Sequence, residues 1–162
     1  MRYSLVKLNQ ISGNQASVYS LYIVEENKTL FDRFIEETRI SSINELKDII
    51  SRLRSIAHKE GAREQYFKQY EGKPGDLVCA LYDRPKSNLR LYTIRLGSSL
   101  IIVGGGGYKP KSIRALQDDP KLNAENKIIV KLSDEIFKRI RSKEIRYINN
   151  FMDFEGDLDF EF

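Results

Sequence analysis

The run Leu100-Ile101-Ile102-Val103-Gly104-Gly105-Gly106-Gly107 constrains the fold more than any other part of this 162-residue chain. Four aliphatic residues in a row, three of them β-branched, fit a central strand buried on both faces. Before them, Leu89, Leu91 and Thr93 alternate with Arg90, Tyr92 and Ile94, which is the period of a strand with two unlike faces. Gly97-Ser98-Ser99 supplies a turn in which Gly97 can take a positive φ. A hairpin over residues 89–103 is therefore the expected centre of the fold. The glycines that follow admit two readings. Consecutive backbone N–H groups can cradle an anion. Alternatively, bare backbone lets the strand bend or lets another segment approach. Neither the Walker pattern nor the dinucleotide fingerprint fits: the former needs Gly-Lys-Ser/Thr, and Pro110 opposes the helix that the latter requires.

Charge sets this stretch apart. Between Arg84 and Arg114 lie seven basic residues (Arg84, Lys86, Arg90, Arg95, Lys109, Lys111 and Arg114) and no acid. Over the whole chain the net charge is +4, but the last ten residues hold five acids and no base, leaving +9 on the rest. A basic body is suited to polyanions, and the acidic end either competes for the basic face or is a solvated terminus. Aromatic residues interleave with the cations at Tyr66, Tyr92 and Tyr108, a combination that binds phosphates and stacks on unpaired bases.

The remaining elements are read from periodicity. Tyr3–Ile11 and Ala16–Val24 alternate around the turn Ser12-Gly13-Asn14, an opening hairpin. Lys28–Thr38 carries the stripe Leu30, Phe31, Phe34 and Ile35. Residues 42–59 are the clearest helix: Ser42 and Glu45 have capping-box spacing, Ile43, Leu46, Ile49, Ile50, Leu53, Ile56 and Ala57 share a face, and Gly61 is the stop. Tyr66, Phe67 and Tyr70 form an aromatic group suited to a sheet edge. Leu77–Tyr82 reads as a strand and Asp83–Asn88 as a loop. A long helix is expected over Lys121–Arg141, although Ser133 followed by two acids can start a separate one. Glu144–Asn149 reads as a short strand. Phe154, Leu158, Phe160 and Phe162 alternate with acids, a pattern that can add an edge strand.

Common catalytic sets are missing. With one His and one Cys, the usual zinc ligand set cannot be assembled, and neither a metal nor a cofactor is expected. His58 suits a helix C-terminus, where its charge meets the dipole. Cys79, inside the apolar run Leu77–Leu81, reads as a buried strand residue and a poor nucleophile. No apolar run reaches the roughly 18 residues of a membrane span, and the N-terminus has no signal-peptide core; a cytoplasmic protein with no membrane partner is expected. RNA can nevertheless be cleaved without histidine. A Tyr or Lys takes the 2′-hydroxyl proton, and arginines stabilise the charge that accumulates on the phosphorus oxygens.

Two helices followed by a three-strand meander, the last strand passing through glycine into a Lys-rich segment, resemble the RelE/ParE superfamily of bacterial toxins. The residues that carry the resemblance are Leu91 with Arg95, the Gly97 turn, Leu100 to Val103, Gly107, and Lys109 with Lys111, within residues 43–114. It implies an α+β fold with an antiparallel β-sheet on which the N-terminal helices pack (RelE-like), here with an extra N-terminal hairpin and a long C-terminal helix. One domain over residues 1–162 is expected, its core about residues 28–114, with the hairpin 1–27 and an extension 115–162. RelE-like members are ribosome-dependent endoribonucleases that cleave mRNA, whereas ParE-like members inhibit gyrase. A non-catalytic RNA- or protein-binding module on the same scaffold is the further alternative. Under the nuclease reading Arg95 and Lys111 stabilise phosphate charge and Tyr108 is the candidate base. Arg84, Lys86, Arg90, Lys109 and Arg114 hold nucleic acid, and the expected partners are RNA on the ribosome and a cognate antitoxin protein.

Overall fold

In the computed structural model, which describes residues 1–69, 71–73, 75–81, 88–109 and 119–162, the hairpin over residues 89–103 stands inside one mixed sheet. Its strands are β1 (Arg2–Lys7), β2 (Ser17–Ile23), β3 (Lys28–Thr29), β4 (Phe67–Lys68), β5 (Val78–Leu81), β6 (Leu89–Arg95) and β7 (Leu100–Tyr108), and it is completed by β10 (Asp159–Glu161). A separate hairpin pairs β8 (Ile145–Ile148) with β9 (Asp153–Gly156). The helices are α1 (Leu30–Thr38), α2 (Ile43–Ser55) and α3 (Pro120–Arg141). Strand order is β10–β1–β2–β7–β6–β5–β4, with β3 beside β2. Neighbours are antiparallel except β2 and β7, which run parallel from Ser17 opposite Leu100 to Ser20 opposite Val103. The fold is α+β with a mostly antiparallel sheet, as expected.

The double burial expected of residues 100–103 is realised. On one face Tyr92, Ile94, Leu100 and Ile102 pack with Leu122, Ile129, Leu132 and Ile136 of α3. On the other, Leu89, Leu91, Ile101 and Val103 pack with Phe31 and Phe34 of α1 and Leu46, Ile49 and Leu53 of α2. The opening hairpin and the C-terminal segment belong to the same core. Leu5, Leu21, Ile145, Phe154 and Phe160 lie in the α3-side cluster.

The glycines are strand residues. β7 continues through them to Tyr108, and all four are buried. Its register against β6 shifts between Leu91, opposite Gly106, and Thr93, opposite Val103. Tyr92 therefore faces both Gly104 and Gly105, a β-bulge that turns both positions to one side. A side chain at Gly104 would overlap Ile129, and one at Gly105 would overlap the Glu125 carboxylate, both on α3. At Gly106 a Cβ would run into the backbone carbonyl of Arg90. The bare backbone is what lets α3 and β6 come this close.

Helix termini departed from expectation in one place. Ser42 precedes α2 but makes no side-chain capping bond. The capping box forms instead at α1: Asp32 N–H donates to Thr29 Oγ1 and Thr29 N–H to Asp32 Oδ2, each at 2.9 Å. Thr29 is placed for this by its pairing with Tyr22 across β2 and β3. After α2 the chain makes a π-helical turn, Ile56–Glu60, closed by Gly61 N–H on the Ile56 carbonyl at a φ of 77°. The Ala57 carbonyl in this turn accepts from Gln15 and Ala16, tying the β1–β2 connection to α2. α3 is one helix: Asp119 caps it by accepting from Leu122 N–H at 3.0 Å. Ser133 does not start a second helix, because it is buried and its hydroxyl donates to the Asp76 carbonyl. Of the aromatic group, Phe67 is buried in β4 and Tyr70 lies outside the described residues, as does Tyr82 at the end of the expected strand 77–82. No helix among the described residues is long and apolar enough to cross a membrane.

The acidic tail is ordered as the alternation allowed. Tyr3 pairs with Phe160 in β10, and the Arg139 guanidinium sits 4.1 Å from the Phe160 ring centre. The β8–β9 hairpin is held by Asp153, which meets Lys7 Nζ at 2.9 Å, Asn149 Nδ2 at 2.9 Å and Tyr19 Oη at 3.2 Å. Burial pushes the Asp153 carboxyl up, but the bonds and charge of Lys7, with Asn149 and Tyr19, outweigh it and hold the group below the ordinary aspartate value.

Two stability measurements follow from this packing. Gly106→Ala is expected to cost about 3 kcal/mol in urea unfolding, the upper end for overpacking, because the obstructing atom is backbone; a loss below about 0.5 kcal/mol, the range of a harmless surface change, would refute the close approach. For Asp153, a depressed carboxyl stabilises above its unfolded pKa and ceases to do so as pH falls through its folded one. The stability gap between wild type and Asp153→Asn should be widest at about pH 7 and shrink by about pH 3. A gap independent of pH would mean that the Lys7 contact contributes nothing.

Candidate nucleic-acid interface

The end of the sheet where β6 begins and β7 finishes gathers most of the expected basic residues in sequence, but the structure treats them differently. Tyr108, the last residue of β7, is 55% exposed. It pairs with Leu89, whose side chain lies on the α1/α2 face, so Tyr108 projects on that side. Lys109 N–H donates to the Asn88 carbonyl at 2.6 Å and closes this end of the hairpin.

Arg90 pairs with Gly107 and points the other way, under α3. It is 8% exposed, and its Nη1 lies 2.8 Å from Glu71 Oε1, an ion pair in which both side chains are nearly closed off from solvent. Lys68 adds a second, longer contact to the same carboxylate at 3.5 Å, and Asn126 donates to the Glu71 carbonyl at 2.7 Å. Beside this pair the Tyr92 hydroxyl is buried, and burial raises its pKa against the lowering effect of the Arg90 charge. Arg90 is thus committed to the interior. Arg95 stands opposite Ile101 at the turn end of the hairpin. Its Nε–H donates to the Ala62 carbonyl at 2.6 Å, which docks the segment after Gly61 onto β6. At about 3.3 Å per residue, Arg95 and Tyr108 are roughly 20 Å apart along the strands, so these two do not form one constellation.

Arg84, Lys86, Lys111 and Arg114 lie outside the described residues. What the structure does show is where their stretches are attached. Residues 82–87 connect Leu81 at the end of β5 to Asn88 before β6; residues 110–118 connect Lys109 to Asp119 at the head of α3. The antiparallel register of β5 on β6, Val78 opposite Ile94 to Ala80 opposite Tyr92, the Asn88–Lys109 bond, and the approach of Lys121 and Leu122 to Gly107 put all four attachment points toward the same end of the sheet.

Two features were not read from sequence. One is a buried charge group between α1 and α3. Glu125, 7% exposed at its side chain, takes Arg33 Nη2 at 3.1 Å and Lys121 Nζ at 3.3 Å, and Lys121 also meets Glu37. The only sequence signal was Gly105, whose missing side chain leaves room for the Glu125 carboxylate. The other is the employment of the tail acids. Asp153 pairs with Lys7, Glu155 with Arg146 and Asp157 with Arg139, so in this structure the tail lies against its own neighbours, at the far edge of the sheet from β6. The glycine run, lying beneath α3, is not an anion cradle. Among the described residues no three His, Cys, Asp or Glu side chains converge as a metal site.

Cys79 faces Thr93 Oγ1 at 3.0 Å in the core, and burial pushes its thiol up to about 11. Compared with protein-family models, curated proteins and solved structures, the chain matches none.

The native thiol should resist alkylation. Iodoacetamide at about pH 8 is expected to leave Cys79 unmodified by intact mass over hours and to modify it fully in denaturant, since the thiolate is the reactive form. Rapid labelling of the folded protein would contradict the packing at β5.

Proposed function

We propose that this protein is a RelE-like toxin, an endoribonuclease that cleaves mRNA at the ribosome and is held in check by a cognate antitoxin. The observation that supports this reading is the common attachment of the two basic stretches, residues 82–87 and 110–118, at the end of the sheet where Tyr108 is exposed. The arrangement from which the resemblance was drawn, two helices and then the meander β5–β6–β7, is compatible with it.

In the proposed reaction the Tyr108 oxygen takes the 2′-hydroxyl proton, the 2′-oxygen attacks phosphorus, and the bond to the 5′-oxygen breaks as that oxygen takes a proton from water. The products are a 2′,3′-cyclic phosphate and a 5′-hydroxyl. Lys111 offsets the charge on the phosphorus oxygens, while Lys109, Arg114, Arg84 and Lys86 hold the flanking phosphates. Arg95, bound to the Ala62 carbonyl at the other end of the hairpin, takes no part in the reaction at Tyr108. A second reading has an observation of its own. Arg90 and Arg95 are both engaged within the fold, which favours a non-catalytic RNA-binding module.

Controlled expression in a bacterial host, with growth and mRNA integrity followed together, separates the two. The nuclease predicts arrest with cleaved mRNA. Tyr108→Phe should slow cleavage about 10²-fold or more, the loss of a general base, while RNA binding persists. Intact mRNA together with salt-sensitive RNA binding would replace the nuclease with the binding module. Intact mRNA with a DNA-damage response would instead indicate gyrase.

A further inference from the structure

A pocket of about 270 Å³ opens on the α2 side of the sheet, lined by Arg52, Ser55, Ile56, Glu60, Gln65, Tyr66 and Leu81. Its floor is apolar, with Ile56 and Leu81 both buried. Tyr66 and Arg52 also line it, the Arg52 guanidinium paired with Asp48 at 2.8 Å, and Glu60 and Gln65, both exposed, complete the lining. The size suits one nucleobase and is below that of a typical drug-sized site.

Its construction is unusual. Ile56 and Glu60 are the first and last residues of the π-helical turn, and such turns recur at functional sites. The Tyr66 hydroxyl donates to Glu60 Oε2 at 3.1 Å, fixing the carboxylate beside the ring. Arg63 Nε–H donates to the Glu60 carbonyl at 3.1 Å, which orders the same turn from outside. No cation is paired with the Glu60 carboxylate among the described residues. Lys59 and Arg63, both exposed, neighbour the lining residues in sequence and can meet phosphates of a bound strand. Leu81 also begins the attachment of residues 82–87, so the pocket adjoins the proposed interface.

We infer that this pocket binds an unpaired guanine base, making it a base-recognition subsite; as a part of an RNA interface it rests on the function proposed above. The ring stacks on Tyr66, as bases do on aromatic platforms. The choice of base follows from hydrogen-bond chemistry. Guanine alone offers two adjacent donors on its Watson–Crick edge, N1–H and the N2 amino group. An ionised carboxylate is acceptor-only with two oxygens, so Glu60 matches that pair. The Gln65 amide can donate to O6. Adenine, cytosine and uracil each present a lone pair to one carboxylate oxygen.

The test titrates the full-length protein with 5′-GMP, 5′-AMP, 5′-CMP and 5′-UMP and follows amide shifts by NMR. Saturable shifts confined to Arg52–Tyr66 and Leu81 are expected, with GMP bound about tenfold more tightly than the others, the value of one well-made bidentate contact. Glu60→Gln should erase that margin while leaving the rest of the spectrum in place. Tyr66→Leu should weaken all four nucleotides about tenfold, the loss of one stacking platform. Equal affinities, absence of saturation, or shifts located elsewhere would overturn the assignment. A mononucleotide has no scissile bond, so the two readings fail separately. Cleavage of RNA by a protein that ignores GMP removes the pocket alone, and uptake of GMP without cleavage removes the nuclease alone.

Discussion

Helix α3 lies on β7 because the strand has no side chains there, and much of the molecule depends on that contact. With Gly104 and Gly105 both turned toward the helix by the bulge, Ile129 and Glu125 occupy the space where side chains would stand. Drawing α3 in brings Glu125 within reach of Arg33 on α1, so the helices on opposite faces are joined past the strand. A buried carboxylate costs several kcal/mol to desolvate, and here Arg33 and Lys121 both offset it. Further along α3, Asn126 and Ser133 hold the Glu71 and Asp76 carbonyls, and Arg139 holds the carbonyls of Asp157 and Asp159. The segment before β5 and the acidic tail are therefore both fastened to this one helix.

The parallel pairing of β2 with β7 has a comparable effect on the other face. Ser20 is fully buried between them, donating its hydroxyl to the Val103 carbonyl and accepting from Phe31 N–H. One side chain thus joins β2, β7 and the first turn of α1. It satisfies polar groups that would otherwise cost about 1–3 kcal/mol each if left unpaired in the core. The opening hairpin is consequently an interior part of the sheet, and α1 starts where the pairing of β2 with β3 leaves Thr29 to cap it.

What could be read from sequence was whatever repeats at short range. The α2 stripe from Leu46 to Leu53, the alternation of Leu89 to Ile94 and the placement of Phe160 against acids all follow from periods of 3.6 and 2, and the structure has them. The glycine run has no side-chain period, so the sequence left its strand character open; only the position of α3 decides it. The capping box shows the same limit. Thr29–Asp32 and Ser42–Glu45 both have suitable spacing, and β3 pairing orients the first. For the interface, the count of cations was legible, but their partners were not. Glu71 lies 19 residues from Arg90 and Ala62 lies 33 from Arg95, with no local pattern linking either pair.

Under the proposed function, those partners decide which cations could meet RNA. Breaking a buried ion pair by removing one partner costs about 3–5 kcal/mol, and Arg90 leaving Glu71 would face a penalty of that order. A charged hydrogen bond to one phosphate returns only about 1.5–3 kcal/mol, so Arg90 stays under α3 even with RNA present. Arg95 is held by a bond to one neutral carbonyl and is half-buried, so a phosphate could compete for it on nearly equal terms. An RNA path along the α1/α2 face is then consistent with the energetics. It would run past Tyr108 toward the pocket at Tyr66, with Arg95 recruited only by a strand long enough to reach the turn end. On the α3 face Arg90 is already neutralised by Glu71.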